Sequence, residues 1–392
     1  MVNHISGLRV AQLIECDGPG GAERVVALLS AGLVAAGCEV VVFLPAGGEG
    51  WLARELAPTG AAIEYFRLER PVSLGFGQRL AAALRRRRID IAHSHEFTLA
   101  CYGAWAARAA AIPHLFTMHG GRYYAGRLTR RLALRTAAAF GRPVAVSQTV
   151  AAALHRDLWL HAPVATIPNG VCATHTDDST LRAELRLDPE VRLLLAIGNL
   201  YPVKGHALLI EALARLAPEY PLLHLAIAGR GDLAAALAEQ ARHLGIAHRA
   251  HFLGLRDDVP NLLAAADVMV HPSLSEGLPL ALLEAMFAGK AIVASATGEI
   301  PVALDWGAAG VLVPPGDVRA LAAGIDRVLR APAEAMALGQ AARARAESVY
   351  SVKRMLDAYA RLYRELLSRG SGPAPRAGHR DPAQSAASAW AG

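Results

Sequence analysis

Residues 9–44 read RVAQLIECDGPGGAERVVALLSAGLVAAGCEVVVFL, with two short apolar runs on either side of a longer amphipathic stretch. Arg9–Ile14 and Glu39–Leu44 have the apolar, partly β-branched character of strands that are buried on both faces. Gly21–Gly37, between them, repeats apolar residues at the spacing of a helix. Strand, helix and strand in this order predict a βαβ unit and therefore a parallel sheet.

The same alternation continues along the chain and restarts after a Thr- and Asp-rich segment, Gly170–Leu185. Further strands of the first half are predicted at Ala61–Tyr65, Ile89–His93, His114–Met118 and Pro143–Val146. Those of the second half are predicted at Arg192–Ile197, Leu222–Ile227, Ala250–Leu253, Asp267–Val270, Ala291–Ala294 and Gly310–Val313. Helices of the second half are predicted at Gly205–Leu216, Asp232–Leu244, Val259–Ala265, Leu280–Ala288 and Val318–Leu329. We therefore predict an α/β protein with two doubly wound, Rossmann-like domains that face each other across a cleft.

The expected domains are residues 1–172 and 173–345, with Gly170–Leu185 as the linker. A terminal helix is expected at 346–367, where the pattern is charged and helical. Residues 368–392 are rich in Gly, Pro, Ser and Ala without periodicity, which predicts a disordered tail.

Composition excludes several classes of protein. Of the 392 residues, 53% are apolar and 19% are charged, which favours a packed globule over intrinsic disorder. The formal net charge of +6 includes the run Arg85–Arg88, so a local basic patch is expected rather than a general polyanion-binding surface. The chain contains no motif of a nucleic-acid-binding module, so nucleic acid is not expected as a partner.

Four separate cysteines and the N-terminal sequence bear on location. Cys16, Cys38, Cys101 and Cys172 have no metal-ligand spacing and are expected to be reduced and mostly buried. The first residues lack the pattern of a signal peptide, and no uncharged apolar run reaches the roughly 18 residues that a membrane span needs. We expect a cytoplasmic protein that is soluble or peripheral.

Glycines follow the first predicted strand. Ligands of open α/β sheets bind beyond the carboxyl ends of the strands, so residues that follow strands are the first candidates. Gly20 and Gly21 would let backbone N–H groups approach a phosphate at the N-terminus of the next helix. The alternative is a turn that merely packs this helix.

Histidines stand at the ends of two other strands of the first half. His119 follows a strand and precedes Gly120, a position from which a ring nitrogen can face a ligand. His93 and His95 lie at the end of the preceding strand, where the same argument applies. The alternative for each is a structural or solvent-facing histidine.

Charged residues follow the strands of the second half. Asn199 and Lys204 come after its first strand, and Lys204 near a helix N-terminus suits a diphosphate because fixed charge and free N–H groups act together. Arg230, between two glycines after the next strand, offers a guanidinium. The alternative for Lys204 is a solvated side chain in a turn.

The most specific stretch is HPSLSEGLPLALLEAM, residues 271–286. Glu276 falls in a loop after a strand, and Glu284 falls in an otherwise apolar helix, where an unpaired carboxylate costs several kcal/mol. A polyol such as ribose would supply the hydrogen bonds that Glu284 needs. Glu276, Gly277 and Leu278 would place a carboxylate and bare N–H groups beside a sugar and a phosphate. The alternative is a structural ion pair with a capping glutamate.

Several familiar motifs are absent from the sequence. It has no GxSxG, no GxxxxGK[ST] and no HExxH. It also has no DxD, which weakens the case for a divalent ion that grips a nucleotide diphosphate.

On these residues the chain resembles a family 4 glycosyltransferase of the GT-B fold, from Leu8 to Leu367. Glu276 and Glu284 have the spacing of the family's Glu-x7-Glu signature. The supporting matches, in chain order, are Gly20-Gly21-Ala22-Glu23, His119-Gly120, Ile167–Val171, Lys204-Gly205 and Pro314-Gly316-Asp317. The final helix is similar to the family's terminal segment, which crosses back to the first domain.

The resemblance implies a role for each candidate residue. Glu284 would bind the ribose hydroxyls of a nucleotide-sugar donor, Glu276 the transferred sugar, and His119 would line the cleft near the donor sugar and the acceptor. The diphosphate would be held by Lys204, by the N–H groups of Gly277, Leu278 and Leu280, and by Gly21 from the opposite domain. The base would lie at the Leu253–Asp258 turn, where Leu255 is assigned to donor binding.

The implied reaction retains the anomeric configuration and needs neither a metal nor a further cofactor. A UDP-sugar is the favoured donor, with a GDP-sugar as an alternative, and leaving-group stabilisation would supply the main rate effect in a front-face transfer. A nucleotide-sugar epimerase or hydrolase and a non-catalytic nucleotide-sugar-binding protein are the competing interpretations.

Two positions depart from the family pattern. Asn199 stands where family members carry an arginine, so one positive charge on the leaving diphosphate is missing unless Arg230 compensates. Val302 stands where the family's Gly-Gly-x-Pro-Glu stretch has its glutamate.

The first domain would supply the acceptor site, for a glycan, a lipid-linked molecule or a small molecule in surface polysaccharide or glycolipid synthesis. Residues 122–142 carry six arginines, which would suit the anionic inner face of a membrane. An ordinary solvated helix face is the alternative. These six are Arg122, Arg127, Arg130, Arg131, Arg135 and Arg142.

Overall fold

The computed structural model describes residues 5–68, 70, 72–120, 123–160, 164–172, 176 and 178–370. Seven parallel strands form the first of its two sheets. The strands are β1 (Arg9–Leu13), β2 (Glu39–Pro45), β3 (Ala62–Phe66), β4 (Ile91–His95), β5 (His114–Met118), β6 (Arg142–Ala145) and β7 (Ala165–Thr166). Their order across the sheet is β3-β2-β1-β4-β5-β6-β7. The helices of this half are α1 (Gly21–Ala35), α2 (Trp51–Leu56), α3 (Leu74–Arg86), α4 (Glu96–Ala110), α5 (Leu128–Phe140) and α6 (Gln148–Leu158).

A short helix, α7 (Leu181–Glu184), precedes a second parallel sheet of the order β10-β9-β8-β11-β12-β13. Its strands are β8 (Arg192–Ile197), β9 (Leu223–Ala228), β10 (Ala250–Gly254), β11 (Val268–His271), β12 (Ala291–Ser295) and β13 (Val311–Val313). The helices that follow α7 are α8 (His206–Leu216), α9 (Ala234–His243), α10 (Val259–Ala265), α11 (Leu280–Phe287), α12 (Ile300–Ala303), α13 (Val318–Arg330), α14 (Pro332–Val349) and α15 (Val352–Gly370).

Strands such as β2 (EVVVFLP) and β12 (AIVAS) are apolar at successive positions because both faces of their sheets are covered. In β1, Val10 packs into one hydrophobic cluster and Ala11 into another, and both are fully buried. Successive strand residues point to opposite faces, so a strand covered on both sides has no solvent-facing position that would favour a polar residue. The prediction of two doubly wound α/β halves is therefore confirmed.

The last helix, α15, returns to the first sheet. Its Tyr363 hydroxyl accepts a hydrogen bond from Gln12 Nε2 at 3.2 Å and lies 2.8 Å from His93 Nδ1. Gly32 of α1 allows the close approach of Leu356, since a Cβ on Gly32 would lie 2.3 Å from a Leu356 methyl carbon. The helix that comes last in sequence therefore completes the core of the first half.

The predicted strand at Ile89–His93 lies two residues too early. The N–H group of Ile89 donates to the carbonyl of Leu84 at 3.0 Å, which closes the end of α3, and Arg88 adopts a positive φ of 52°. Ile89 therefore packs against the end of α3 instead of beginning the strand. The strand β4 begins at Ile91 and runs to His95.

Two further predictions differ from the structure. The helix α15 continues to Gly370, so residues 368–370 do not belong to a tail, and residues 371–392 lie outside the described residues. Within the predicted linker Gly170–Leu185, residues 173–175 and 177 also lie outside them, while Leu181–Glu184 is helical. The proposed domain boundaries stay a prediction.

The cysteines are free, as predicted, but the prediction that most are buried is wrong. Cys38 is buried and Cys101 is intermediate, whereas Cys16 and Cys172 are exposed because both lie in loops outside the helices and strands. In the part of the chain that the structure describes, no helix combines the length and the hydropathy needed to cross a membrane.

Candidate functional site

Several candidate residues follow the strands at which the order of each sheet reverses. In the first sheet β1 lies beside β4, and in the second β8 lies beside β11. Connections from such neighbouring strands leave on opposite faces, which opens a crevice at the carboxyl end. The glycine-rich turn follows β1, Lys204 follows β8 and Glu276 follows β11. The two crevices face each other, as the contacts below show.

Glu276 is held by three donors from its own half. Its Oε1 lies 2.6 Å from Lys204 Nζ, 2.8 Å from Ser273 Oγ and 3.1 Å from His271 Nε2. Burial alone would raise the pKa of Glu276, but the hydrogen bond and charge of His271, together with Lys204, lower that pKa to about 2. Glu276 is therefore a fixed carboxylate at neutral pH.

Glu284 faces the opposite half from α11. Its Oε1 lies 3.6 Å from an Nη of Arg24 on α1, and its side chain is 14% exposed. Burial raises the pKa of Glu284 above its usual value, and the charge of Arg24 acts in the other direction. Arg24 was not identified from the sequence, because the contact joins residues of different halves.

The two halves touch at Gly277. A Cβ at this position would lie 2.5 Å from the carbonyl oxygen of His119 and 3.3 Å from the Cα of Gly120. Beside it, Asn169 Nδ2 donates to the carbonyl of Leu278 at 3.1 Å. The motif around Glu276 therefore lies directly against the turn after β5, where the sequence placed His119.

His119 has one ring nitrogen bonded and one without a partner. Its Nε2 lies 3.0 Å from His95 Nδ1, whereas its Nδ1 is buried and has no hydrogen-bond partner among the described residues. Burial lowers the pKa of His119 to about 4, so the ring is neutral at neutral pH. A ligand in the cleft would supply a hydrogen-bond partner for His119 Nδ1.

His93 and His95 lie inside β4 and are fully buried, so the idea that they face a ligand directly is wrong. His93 contacts Tyr363, and His95 Nε2 lies 2.8 Å from Gln12 Oε1. Burial lowers the pKa of each ring well below its usual value. His95 Nδ1 contacts His119 Nε2 and so lies one residue away from the cleft.

Glu96 is a candidate that the sequence analysis missed. It follows β4 directly, has a positive φ of 63° and accepts a hydrogen bond from the N–H group of His119 at 3.2 Å. Burial raises the pKa of Glu96 to about 8, and the charges of Glu15 and Glu23 add to this effect while the bond from His119 opposes it. With the strand placed two residues later, the rule that favours residues after strands would have selected it.

Arg230 contacts the first half of the chain. Its guanidinium forms an ion pair with Glu49 at 2.6 Å, across the cleft. Asn199, the position that lacks the family's arginine, is half-buried after β8, and its carbonyl accepts from Tyr201 N–H at 2.9 Å. Compensation of Asn199 by Arg230 stays a prediction.

The remaining predicted donor-site residues have clear positions. Gly21 begins α1, and a Cβ there would meet nothing within 4 Å. Leu278 and Leu280 are buried at the start of α11, and Leu255 is 44% exposed after β10. At the second departure, the carbonyl of Val302 accepts from Arg345 Nη2 at 2.7 Å.

The arginine-rich segment is only partly one surface. Arg127, Arg130, Arg131 and Arg135 lie at the start of α5 or within it, whereas Arg142 is in β6 with its Nε buried. Arg122 lies outside the described residues. The arginines of this segment therefore do not all lie on α5, and contact with an anionic membrane stays a prediction. The run Arg85–Arg88 is partly neutralised, since Arg86 and Arg87 pair with Glu64.

Both halves match described families. Residues 19–175 match Glycosyltransferase Family 4, and residues 177–345 match Glycosyl transferases group 1. The phosphatidyl-myo-inositol mannosyltransferase of Mycolicibacterium smegmatis is 32% identical over 328 residues, which is 80% of this chain and 82% of that protein. The D-inositol 3-phosphate glycosyltransferase of Mycobacterium ulcerans is 35% identical over 199 residues, 49% of this chain and 42% of that protein. The match to the latter thus spans less than half of the relative's length.

Solved structures agree with the fold. The Anabaena protein HepE, in complex with UDP and glucose, has a TM-score of 0.83 at 24% identity, covering 92% of this chain and all of that one. At this identity the likeness concerns the fold alone. Together with the two family matches and the mannosyltransferase relative, it leads to one conclusion: the chain belongs to the family 4 glycosyltransferases and has the GT-B fold.

Proposed function

We propose that the protein transfers a sugar from a nucleotide-sugar donor to a hydroxyl of an acceptor, with retention of the anomeric configuration. The observation that carries this proposal is the position of Glu276, bonded to Lys204 and directly against the turn of His119. Glu284, eight positions further, faces the same cleft. The arrangement offers a carboxylate for a sugar, a cation for a diphosphate and a second carboxylate for ribose.

The donor is proposed to be a UDP-sugar, with a GDP-sugar as the alternative. The structure of HepE with UDP and glucose supports the first choice. Lys204 would exchange part of its contact with Glu276 for the diphosphate, since a cation beside phosphate oxygens is strongly attracted in a partly buried site. Gly21, open on its Cβ side, leaves room for the diphosphate from the other half.

Retention is proposed to occur by front-face transfer. The bond between the anomeric carbon and the diphosphate oxygen breaks, the acceptor oxygen bonds to the same face, and the acceptor proton passes to the leaving diphosphate. Glu276 is a poor nucleophile because three donors hold its Oε1. Its charge, and the cation of Lys204, would instead stabilise the separating charges.

The acceptor is proposed to be a glycan, a lipid-linked molecule or a small polyol, bound by the first half. Two relatives, named for D-inositol 3-phosphate and phosphatidyl-myo-inositol, support a polyol hydroxyl that carries a phosphate nearby. A cytoplasmic location, with or without contact to an anionic membrane surface, belongs to the same proposal.

The test begins with donor binding. Melting temperatures are measured with UDP-, GDP-, ADP- and dTDP-sugars, each with and without EDTA. A ligand at 100 times its dissociation constant stabilises the fold by about 2.7 kcal/mol, which is readily measured. We expect one nucleotide series to raise the melting temperature in the presence of EDTA. No shift with any series would contradict the proposal.

Glu284→Gln and Glu347→Gln form the matched pair of variants. Glu347 is exposed on α14 and pairs with Arg343, so it reports the loss of a surface glutamate alone. We expect Glu284→Gln to lose the donor-induced shift and keep the fold, while Glu347→Gln keeps both. An equal shift in both variants would show that Glu284 does not hold the ribose.

Turnover separates the competing functions. Release of nucleotide that increases with an acceptor, and a product with the donor's anomeric configuration by NMR, are expected. Release without any acceptor would favour the hydrolase or epimerase. Donor binding without release across an acceptor panel would favour a binding protein, and Asn199→Arg would then be expected to restore turnover.

A further inference from the structure

A groove of about 790 Å³ lies on the first half, away from Glu276 and Glu284. It is bounded by the starts of α3, α4 and α5, which follow strands at the carboxyl edge of the sheet. Its lining includes Phe97 and Thr98, which directly follow Glu96. Through Thr98 and Leu68 it adjoins a second cavity of about 510 Å³, lined also by Glu15 after β1. The groove and this cavity therefore lie along the edge of the sheet at which β1 and β4 end.

Large apolar side chains are exposed along this groove. Val72 is 86% exposed, Leu74 77%, Tyr123 58% and Trp105 41%. Single exposed apolar residues are ordinary, but neighbouring ones that line one concave surface mark a site for an apolar ligand or partner. The described surface thus has a concave apolar region that includes neither Glu276 nor Glu284.

The walls of the groove are fixed by internal contacts. The ring of Trp105 lies over Gly77, where a Cβ would be 2.6 Å from two of its ring carbons. The hydroxyl of Tyr102 accepts from the N–H group of Ser73 at 2.7 Å and ties the start of α3 to α4. A groove whose walls are already in place costs a ligand less ordering on binding.

Arginines form the rim. Arg130 lies 3.7 Å from the centre of the Tyr123 ring and donates to the Tyr123 carbonyl at 3.0 Å. Arg70 and Arg127 also line the groove, and α5 has no acidic residue in its first turn. Among the described residues, no carboxylate pairs with any of these three arginines. The rim therefore complements an anionic group.

We propose that this groove binds the apolar chain of a lipid phosphate, with the phosphate at the arginine rim and the acceptor hydroxyl towards Glu96 and His119. The inference rests on the proposed sugar transfer and narrows its acceptor to a phosphate-bearing lipid. Apolar exposure alone would suit a protein partner, and arginines alone would suit free phosphate. The two features on one concave surface, whose residues Phe97 and Thr98 directly follow Glu96, favour a single amphiphile.

Decyl phosphate, kept below its micellar concentration, is the probe. Isothermal titration calorimetry with the full chain is expected to show saturable binding of one molecule. Decanol and inorganic phosphate should each bind at least about tenfold more weakly, because each retains one half of the interaction. Equal binding of decanol would overturn the arginine role, and absence of saturable binding would overturn the proposal.

Matched variants locate the site. Leu74→Asp and Arg130→Ala are expected to weaken decyl phosphate binding by about tenfold or more. Met336→Asp, on α14 and 62% exposed, and Arg319→Ala, on α13, should leave it unchanged. All four positions are on the surface, which limits the cost to folding. Equal binding by the groove and control variants would place the lipid elsewhere.

Two further measurements separate the possible failures. The UDP-induced rise in melting temperature is recorded for wild type and for each variant. If wild type shows no rise, the proposed sugar transfer fails. If wild type binds the nucleotide but not decyl phosphate, only the proposal for the groove is overturned. Vesicles of phosphatidylglycerol and phosphatidylcholine serve as the surface probe. The proposal would also be overturned if the protein binds vesicles but not monomeric decyl phosphate, and if Leu74→Asp and Arg130→Ala reduce vesicle binding no more than the control variants do.

Discussion

Lys204 Nζ lies 2.6 Å from Glu276 Oε1, so the cation expected to meet the donor diphosphate is already paired with the carboxylate expected to meet the donor sugar. The two residues are 72 positions apart and follow different strands, β8 and β11, of one sheet. Their contact couples the charge of the proposed sugar site to that of the proposed phosphate site. A donor that draws Lys204 away would leave His271 and Ser273 to hold the carboxylate.

This pair predicts acid sensitivity. The pKa of Glu276 is about 2, below its ordinary value of 4.5. Glu276 therefore contributes stability that is complete above pH 4.5 and is lost as the pH falls towards 2. The contribution is on the order of 3 kcal/mol. In urea unfolding between pH 2 and 5, Glu276→Gln should flatten the pH dependence and Lys204→Met should shift it to higher pH. A profile for Glu276→Gln that matches Glu347→Gln would contradict this account.

Gly21→Ala separates donor approach from folding. A Cβ at Gly21 meets nothing within 4 Å, so alanine should leave the melting temperature unchanged or slightly raised. The same methyl group would stand where the diphosphate is proposed to approach the start of α1, so donor affinity should fall about tenfold or more. Gly126→Ala, also with open space around the Cβ, is the control. Unchanged donor affinity in Gly21→Ala would remove Gly21 from the site.

Glu96 predicts the opposite pH dependence. Its pKa is about 8 in the folded protein, against an ordinary value of 4.5. The folded state therefore keeps the proton that the unfolded chain loses, and this stability is complete below pH 4.5 and is lost as the pH rises to 8. Glu96→Gln, which stays neutral, should be more stable than wild type at pH 8 and should show a flatter profile between pH 5 and 8. Identical profiles would show that the Glu96 carboxyl is ionised at neutral pH.

Tyr363→Phe tests the return of α15 to the first half. Loss of the hydroxyl leaves Gln12 Nε2 and His93 Nδ1 without this partner in a fully buried site. Buried polar groups that lose a partner cost about 1–3 kcal/mol, measured here by urea unfolding. Tyr65→Phe, at a side chain that is 57% exposed, should cost much less. Equal effects would mean that the contact is not important for stability.

The sequence was sufficient where the signal is local. Glu276 lies in the loop after β11 and Glu284 in the helix α11 that follows, so local sequence alone places both. The alternation of strands and helices gave both sheets, because strands covered on two faces are continuously apolar. Arg24 was not found, and Asn169 was noted only within the motif Ile167–Val171, since each contacts the other half through a residue more than 100 positions away.

The histidines show where local reasoning is insufficient. His93 and His95 looked like ligand-facing residues because their strand was placed two residues early. Their partners, Tyr363 and Gln12, come from the last helix and the first strand. A buried histidine with distant partners and one beside a ligand have the same sequence context. Only the contacts distinguish them.

The return of α15 has a consequence for the order in which the protein is made. Gln12 and Tyr363 are 351 positions apart. The apolar surface of α1 beside Leu356 is therefore covered only after α15 has been synthesised. At ordinary elongation rates this interval is on the order of tens of seconds. Throughout that time the first half of the nascent chain carries an uncovered hydrophobic stripe, so it is the half that we expect chaperones to hold until the ribosome releases the last helix.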